Sequence, residues 1–485
     1  MTSLYYNLRG WMAEGHLTSK LGIIFTETIA ILVVVVFFLK PLYYRTWHPL
    51  CRFPGPSAAA TSRHWIYRVT ERGFPEKELE KLHKEYQTKA LRIGPNELHM
   101  IDVEKHRERR QLLNPFFSRA GVLKLEPIIH QRTVVLMKKI QYLQGTHGIN
   151  VYDAFRCLTT EIIMEFAFAK SADMLEDSQN TFESWFLAAF DAVARSLWKM
   201  QEWPIARKAL AIVPLHVISL IDPHIVNVVK MLKFAESCLE HYELHGNTTS
   251  HPVVFDNLSS LPHNLKVTEA LDILIAGADT TASTLTAGLM NILSNPAIQS
   301  KLVNSVRRED ISSDDSSLLH LSELEKLTYL SACVKESLRI AIPVPGRLPR
   351  VVPHDLPQPF VVDGQVIPPS TIVSMSAYTM HTSEEIWGPD ARVFNPDRWL
   401  HPEAKPLEQY LCTFSKGARM CIGQNVAYAE VTIVMAYLFR NFDISLPSGF
   451  RPPRRKDLFT MEYSKPGLPL KFSRVAETYD SEMKA

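Results

Sequence analysis

The stretch from Phe414 to Gly423, FSKGARMCIG, places one cysteine among residues that could keep a thiolate bound to a metal. Its two glycines allow tight bends and let the backbone approach a flat cofactor closely. Arg419 offers a cationic fork that matches a carboxylate. The apolar run from Gln424 to Arg440 predicts a helix whose first amides and dipole would stabilise a thiolate at Cys421. These residue types predict that sulfur ligates iron here, against the plainer alternative of a buried structural cysteine.

A second group of reactive residues lies in the middle of the long helix predicted from Val267 to Ser294, which Asn295-Pro296 ends. This group, AGADTT from Ala276 to Thr281, places a polar pair between small residues. The Thr280 hydroxyl could take over a backbone carbonyl, kink the helix and open a cleft for dioxygen. Asp279 and Thr280 could then relay protons to bound peroxide. The alternative is a helix-packing glycine with incidental polar neighbours.

Two further pairs have helical spacing. His106 and Arg110 are four residues apart, which places both side chains on one helix face. Glu336 and Arg339 are three residues apart on an amphipathic helix predicted from Leu324 to Ile340. Taken alone, the first pair is equally typical of a solvated basic helix end, and the second of an ordinary surface ion pair.

The elements that would position these residues are mainly helical. Leu123 to Cys238 predicts helix throughout, with breaks near Pro204, Pro214 and Pro223. Short strands are predicted from Leu91 to Ile101, in a hairpin turning at Asp363-Gly364, and in a terminal hairpin around Leu458.

Composition excludes several classes of protein. The 485 residues carry a net charge of +2, which gives no reason to expect nucleic acid as a partner. The six cysteines form neither a metal-finger spacing nor a small disulfide framework, as is usual in a reducing compartment. No glycine-rich dinucleotide turn follows a predicted strand, so nicotinamide is not expected to bind here.

The N-terminal part predicts a membrane anchor. We assign residues 1–20 to a lumenal segment, 21–44 to a single transmembrane helix, 45–56 to a proline-rich hinge and 57–485 to one large domain. A cleaved signal peptide is the alternative, but no small-residue cleavage site follows the apolar run. Lys40, Arg45 and Arg52 follow the apolar run that ends at Leu39, whereas only Arg9 and Lys20 precede it, which favours a cytosolic main body.

The ordered set Phe414, Gly417, Arg419, Cys421 and Gly423 resembles the haem-binding loop of the cytochrome P-450 family, and AGADTT matches that family's oxygen-activation helix. The chain is most similar to fungal microsomal members of secondary metabolism. The resemblance implies a mainly α fold with small β-sheets, in which residues 57–485 form the haem-thiolate monooxygenase domain. It also implies haem b as the cofactor, with its iron bound by Cys421.

The family's motifs extend these roles to other positions. The resemblance implies that Arg419, His106, Arg110 and Arg350 bind haem propionates, that Phe414 and Gly417 of the loop also bind the cofactor, and that Asp279 and Thr280 deliver protons. It further implies a buried structural triad of Glu336, Arg339 and Arg398, the last from the motif FNPDRW. One feature departs from the family: the segment Asp102 to Lys105 replaces several tens of residues that include a helix over the substrate pocket. Either an exon has been lost from the gene model, or the pocket is unusually open.

The resemblance therefore implies a single-pass protein of the endoplasmic reticulum that oxidises a lipophilic terpenoid or polyketide. The substrates would be this molecule and O2, with electrons from NADPH through cytochrome P-450 reductase and cytochrome b5 as a further candidate donor. A peroxide isomerase or dehydratase of the same fold, which needs no reductase, is one alternative. An inactive haem-binding protein, suggested by the shortened segment, is the other.

Overall fold

The computed structural model describes residues 25–88, 91–94, 113–145, 148–176, 181–202, 213, 217, 225–247, 249, 251–258, 260–307, 320–346 and 348–475. Helices dominate these residues. In chain order they are α1 (Phe25–Thr46), α2 (Ser57–Thr61), α3 (His64–Glu71), α4 (Pro75–Glu85), α5 (Arg119–Tyr142), α6 (Val151–Phe168), α7 (Trp185–Glu202), α8 (Ile225–His245), α9 (Val254–Asn257), α10 (His263–Leu293), α11 (Pro296–Val306), α12 (Leu321–Leu324), α13 (Thr328–Ala341), α14 (Ala377–His381), α15 (Glu384–Trp387), α16 (Ala404–Leu407) and α17 (Gln424–Asn441).

The strands are short. They are β1 (Ile149–Asn150), β2 (Arg350–Val351), β3 (Val361–Val362), β4 (Gln365–Val366), β5 (Ile372–Val373), β6 (Phe442–Ser445), β7 (Arg455–Leu458), β8 (Thr460–Tyr463) and β9 (Pro469–Arg474). Strand β9 pairs antiparallel with β1 and β6, with Ile149 opposite Leu470 and Phe442 opposite Arg474. The pairs β2–β5, β3–β4 and β7–β8 are separate antiparallel ribbons.

The chain divides into two compact units. The first comprises Met1–Glu71, Lys77–His99 and Arg350–Val373, and the second comprises Arg72–Glu76, Met100–Pro349 and Ser374–Ala485.

In the first unit, α1 has the length and composition of a membrane span. Its 22 residues reach a mean hydropathy of 2.1, and none of its apolar window is buried. Helix α10 of the second unit also passes this test, with a mean hydropathy of 1.2 from Leu265 to Leu293, but 72% of that window is buried. Burial identifies α10 as a core helix, whereas α1 presents apolar side chains to its surroundings.

The core of the second unit forms around α10, which packs against α6, α13 and α17. Two glycines permit the close approach of these helices. A Cβ on Gly277 would lie 2.8 Å from Ile163 Cγ1 on α6, and a Cβ on Gly288 would lie 2.6 Å from Met435 Cε on α17. A side chain at either position would therefore require the packed side chains of the neighbouring helix to shift.

Several local predictions are confirmed. The helix expected from Val267 to Ser294 is α10, and the helix expected after Cys421 is α17. The hairpin of β3 and β4 turns at Asp363 and Gly364, which have φ values of 49° and 72°, as a tight two-residue turn requires. The terminal hairpin is formed by β7 and β8.

Other predictions are wrong in part or in full. The helix expected from Leu324 to Ile340 is present as α13, but it begins at Thr328, because the separate short helix α12 ends at Leu324. Residues 91–94 form no strand, and the Arg92 N–H donates instead to the Pro54 carbonyl at 2.9 Å. The rest of the stretch to Ile101 lies outside the described residues.

The prediction of helix throughout Leu123 to Cys238 is also wrong. Helix α5 ends at Tyr142, and β1 then pairs with a strand more than 300 residues away in the chain. Helix α6 ends on Ala169, whose left-handed φ of 53° stops the helix without a glycine or a proline. Both interruptions arise from tertiary pairing and backbone conformation, which the apolar periodicity does not encode.

Candidate active site

The loop before α17 holds Cys421 in a fixed position. A short 3₁₀ turn, Gly417–Arg419, leads into it, and the N–H of Met420 donates to the Gly417 carbonyl at 3.1 Å. The Cys421 N–H donates to the Phe414 carbonyl at 2.7 Å. Gly417 has a left-handed φ of 75°, which a residue with a Cβ rarely adopts. The loop is thus closed on itself by backbone hydrogen bonds.

The surroundings of the sulfur fit a flat, anion-ligated iron group. Cys421 is exposed, so its thiol can reach a ligand. Gly423 is the N-cap residue of α17 and has no side chain to cover the first amides of that helix. A Cβ at Gly423 would lie 3.9 Å from Cys421 Sγ and would fill the space beside the sulfur. Helix amides next to a cysteine favour its thiolate, the form that binds metal.

Two further loop residues predicted from the sequence, Phe414 and Arg419, lie on either side of the 3₁₀ turn's first glycine. The Phe414 ring packs against Tyr428 of α17, with centroids 5.5 Å apart. Arg419 lies at the end of the 3₁₀ turn, two residues before Cys421. The propionate contact of Arg419 remains a prediction.

The structure brings the three predicted triad residues together. Glu336 accepts from Arg339 Nε at 2.9 Å and Nη2 at 2.7 Å, and from Arg398 Nε at 3.2 Å. The side chains of Glu336 and Arg339 are fully buried, and that of Arg398 is 7% exposed. The Trp399 indole and the Asn395 N–H also donate to Glu336, at 2.9 Å and 2.8 Å. These donors compensate the buried carboxylate.

Asp279 and Thr280, adjacent in sequence, have different partners. The Thr280 hydroxyl donates to the Ala276 carbonyl at 2.9 Å, as the sequence predicts. Asp279 is buried, and its Oδ1 accepts from Arg156 Nε on α6 at 2.7 Å. Arg156 also donates through Nη2 to Asp191 on α7 at 2.8 Å. The carboxylate of Asp279 is therefore held by a guanidinium that no motif indicates.

A half-buried acid on the terminal hairpin, Glu462, belongs to the same cluster. Glu462 accepts hydrogen bonds from the Tyr152 hydroxyl and from Thr460 Oγ1, the latter at 3.0 Å. Burial, with the negative charge of Asp279 as the next cause, raises the pKa of Glu462 to about 7. A carboxyl with a pKa near neutrality can gain and release protons under working conditions.

Arg156 also forms part of the wall of a cavity of about 540 Å³. The cavity is lined by charged side chains of both signs together with apolar ones, including Asp153, Arg156, Met174, Trp185, Asp191 and Lys465. Because Arg156 contacts both this cavity and Asp279, one side chain separates the cavity from the predicted proton donor.

Sequence reasoning missed Arg156, Tyr152 and Glu462. One signal was available for Arg156, since an arginine in the apolar, almost wholly buried α6 needs buried partners. Glu462 gave no comparable signal, because its neighbours come from helices far away in the chain.

Other predicted site residues cannot be placed around Cys421. His106, Arg110 and the shortened segment Asp102 to Lys105 lie outside the described residues. Arg350 starts β2 in the first unit, opposite Val373 of β5. The haem-binding roles of His106, Arg110 and Arg350 remain predictions.

A mainly helical fold, with a cysteine loop before α17 and an acid–alcohol pair inside α10, defines a haem-thiolate enzyme class. The cytochrome P-450 family model matches residues 77–470, and the chain belongs to this family. Membership makes it a monooxygenase-family protein with thiolate-ligated haem as cofactor.

Known proteins agree with this assignment. A cytochrome P-450 monooxygenase of Sordaria araneosa is 31% identical over 87% of this chain and 92% of its own length. The fusicoccadiene C-8 hydroxylase of Alternaria brassicicola is 28% identical over 84% of this chain and 88% of its own. The crystal structure of a cytochrome P-450 haem domain matches 76% of each chain with a TM-score of 0.62 and 18% identity, which shows a shared fold.

Proposed function

We propose that this protein is a membrane-anchored monooxygenase that oxidises a lipophilic terpenoid or polyketide with O2 and electrons from NADPH. The observation that carries the proposal is the exposed Cys421 thiol beside Gly423, at the uncovered start of α17. Haem bound there supplies the activation of O2. Arg419 would bind a propionate, and the closed loop would hold the sulfur in place.

Side chains of α10 and the terminal hairpin would deliver the protons that the reaction consumes. Each oxidation consumes protons from solvent, and Asp279 is the acid nearest Thr280 in the sequence of α10. Arg156 holds the Asp279 carboxylate and borders the cavity. Its guanidinium stays charged and relays no proton itself, so a proton from solvent would have to pass this side chain to reach Asp279. Glu462, with its pKa of about 7, can supply a proton to the same cluster.

Helix α1 supports the membrane anchor, and the exposed cysteine loop supports the docking side of the redox partner. Helix α1 is apolar and exposed; Lys40 and Arg45 lie in its last two turns, and Arg52 follows it. This charge pattern supports a single span in the endoplasmic reticulum with the catalytic part in the cytosol. A flavoprotein reductase would dock on the exposed side near Cys421, and cytochrome b5 is a further candidate donor.

The relatives support the class of substrate. One of them is named as a hydroxylase of fusicoccadiene, and others are monooxygenases of fungi such as Sordaria araneosa and Penicillium brasilianum. A lipophilic skeleton also agrees with an enzyme that sits at a membrane.

The test uses the full-length protein in detergent or nanodiscs, loaded with haem, with NADPH and a fungal reductase. We expect the thiolate Soret band of the carbon monoxide complex and NADPH-dependent oxidation of the pathway metabolite. Cys421→Ala should abolish both, while Cys51→Ala, at another exposed cysteine, should change neither. Undiminished oxidation by the Cys421 variant would overturn the proposal. Turnover without NADPH would indicate the peroxide isomerase instead.

A further inference from the structure

His381 lies between the buried triad and the cysteine loop. It is the last residue of α14 and is fully buried. Its backbone carbonyl accepts from Arg339 Nη1 at 2.7 Å, and its ring Nε2 accepts from the N–H of Cys412 at 2.9 Å. One residue thus joins the arginine of the triad to the start of the loop that carries Cys421.

The hydrogen bonds from Cys412 continue to the ligand. The Cys412 carbonyl accepts from the Ser415 N–H at 2.9 Å, and the Phe414 carbonyl accepts from the Cys421 N–H at 2.7 Å. Ser415 has a left-handed φ of 59°, so this turn has little freedom to relax. A shift of Cys412 would therefore move the backbone that holds Cys421.

The ring of His381 is fixed in its neutral form. Because Nε2 accepts a hydrogen bond, the proton lies on Nδ1. Nδ1 is buried and has no hydrogen-bond partner within the described ranges. Such an unpaired buried group is costly, and native proteins retain few of them without a reason.

The charged groups around His381 keep it neutral. Burial, followed by the positive charge of Arg339 on α13, lowers the pKa of His381 to about 3, and Lys416 of the loop acts in the same direction. The Cys412 thiol lies 3.5 Å from Nε2, and burial raises its pKa to about 11, so it also stays uncharged. The ring nitrogen therefore remains an acceptor throughout the working pH range.

We propose that His381 is a positioning residue for iron ligation. Its ring nitrogen holds the N–H of Cys412, and this fixes the loop so that the Cys421 sulfur keeps its bond to the haem iron. The inference rests on the proposed function, because it concerns the same thiolate. A second hydrogen bond, from Thr413 Oγ1 to the Leu338 carbonyl at 2.9 Å, ties the next residue to α13 without involving His381.

Two amide variants test this role in the full-length, haem-loaded protein. In His381→Gln the side-chain oxygen can reach the position of Nε2, whereas in His381→Asn an amide of equal polarity is too short. We expect His381→Gln to keep the thiolate Soret band and the reduction potential of the natural protein. We expect His381→Asn to lose haem about tenfold more readily, the lower end of the range for residues hydrogen-bonded directly to a metal ligand, because His381 acts on Cys421 only through the backbone of the loop. The haem that remains should show a smaller thiolate Soret band and a shifted potential.

Thr413→Val is the matched control, because it removes the neighbouring hydrogen bond and leaves His381 in place. We expect it to keep the band and the potential. The role of His381 would be overturned if the Gln and Asn variants lost haem equally and showed the same Soret band. It would also be overturned if Thr413→Val lost the band as His381→Asn does. A natural protein without a thiolate band would overturn the proposed function itself, so the two failures are distinguishable.

Discussion

Two of the buried charge clusters in the second unit are built differently. The triad of Glu336, Arg339 and Arg398 comes from two segments with recognisable motifs, and a single carboxylate lies at its centre. The cluster around Arg156 takes its acids from α7, α10 and β8, and a single guanidinium lies at its centre. The triad borders the cysteine loop through His381, while the second cluster borders a cavity. Motifs thus identify the cluster that supports the cofactor loop, but not the one that holds the predicted proton donor.

The largest expected effect is on the triad. Glu336→Gln leaves the buried Arg339 without its carboxylate and leaves Arg398 with Asp390 alone, and we expect a loss of about 3–5 kcal/mol in the free energy of unfolding. Little haem-loaded protein should be recovered. Chemical denaturation and the haem content of the purified protein measure the two effects.

The control for this prediction is Glu325→Gln. Glu325 pairs with Arg119 through two hydrogen bonds, but their side chains are 38% and 42% exposed. Solvent screening should limit its effect to below about 1 kcal/mol. Equal losses for both variants would mean that burial does not distinguish the triad from a surface pair.

The second prediction concerns Arg156. Arg156→Met leaves the buried Asp279 without its guanidinium, which should cost about 3 kcal/mol of stability and reduce the product formed per NADPH. Adding Asp279→Asn removes the unpaired buried carboxylate, so the double variant should be more stable than Arg156→Met alone. A double-mutant cycle of denaturation measures this coupling. A double variant less stable than Arg156→Met would show that the unpaired Asp279 carboxylate is not the cause of the lost stability.

The sequence predicts what is local and misses what depends on distant contacts. The turn at Asp363-Gly364 and the helix after Cys421 follow from neighbouring residues, and both were predicted correctly. The sequence leaves two interpretations of Gly277, a weak point in the helix beside an oxygen cleft or a helix-packing glycine, and the structure shows that its missing Cβ accommodates Ile163 of α6. Both readings concern the same glycine, and the packing partner is 114 positions away in the chain. The ion pair of Arg156 with Asp279, across 123 positions, was missed for the same reason.

The third prediction uses a buried acid on α17. Burial raises the pKa of Glu430 to about 8, while a hydrogen bond with Thr281 acts in the opposite direction. The folded protein then binds one more proton than the unfolded chain between about pH 4.5 and 8, so its stability falls as pH rises through this window. Glu430→Gln, which cannot ionise, should lack that decline. It should match the natural protein near pH 5 and be more stable near pH 8, by on the order of a few kcal/mol.

Denaturation curves of both proteins across this pH range measure the effect. Glu161 and Glu462 also have raised pKa values, but they are present in both proteins and cancel in the difference. Parallel curves for the two proteins would show that Glu430 is already ionised when folded.

The smallest expected effect lies at the rim of the cavity. Lys465 pairs with the buried Asp153 at 3.3 Å but is itself 72% exposed. Burial raises the pKa of Asp153 and Lys465 counteracts it, so Lys465 can stabilise the fold only where Asp153 is ionised. Lys465→Met should therefore cost below about 1 kcal/mol near pH 7 and nothing at low pH, where Asp153 is protonated. Lys301→Met removes a pair in which both side chains are exposed, 55% for Lys301 and 44% for Asp397, and should change little at either pH. Lys465→Met could instead lower the free energy of unfolding as much as Arg156→Met does. The exposed Lys465 would then stabilise the cluster as strongly as the buried Arg156, and burial would not explain the difference between the centre of the cluster and its rim.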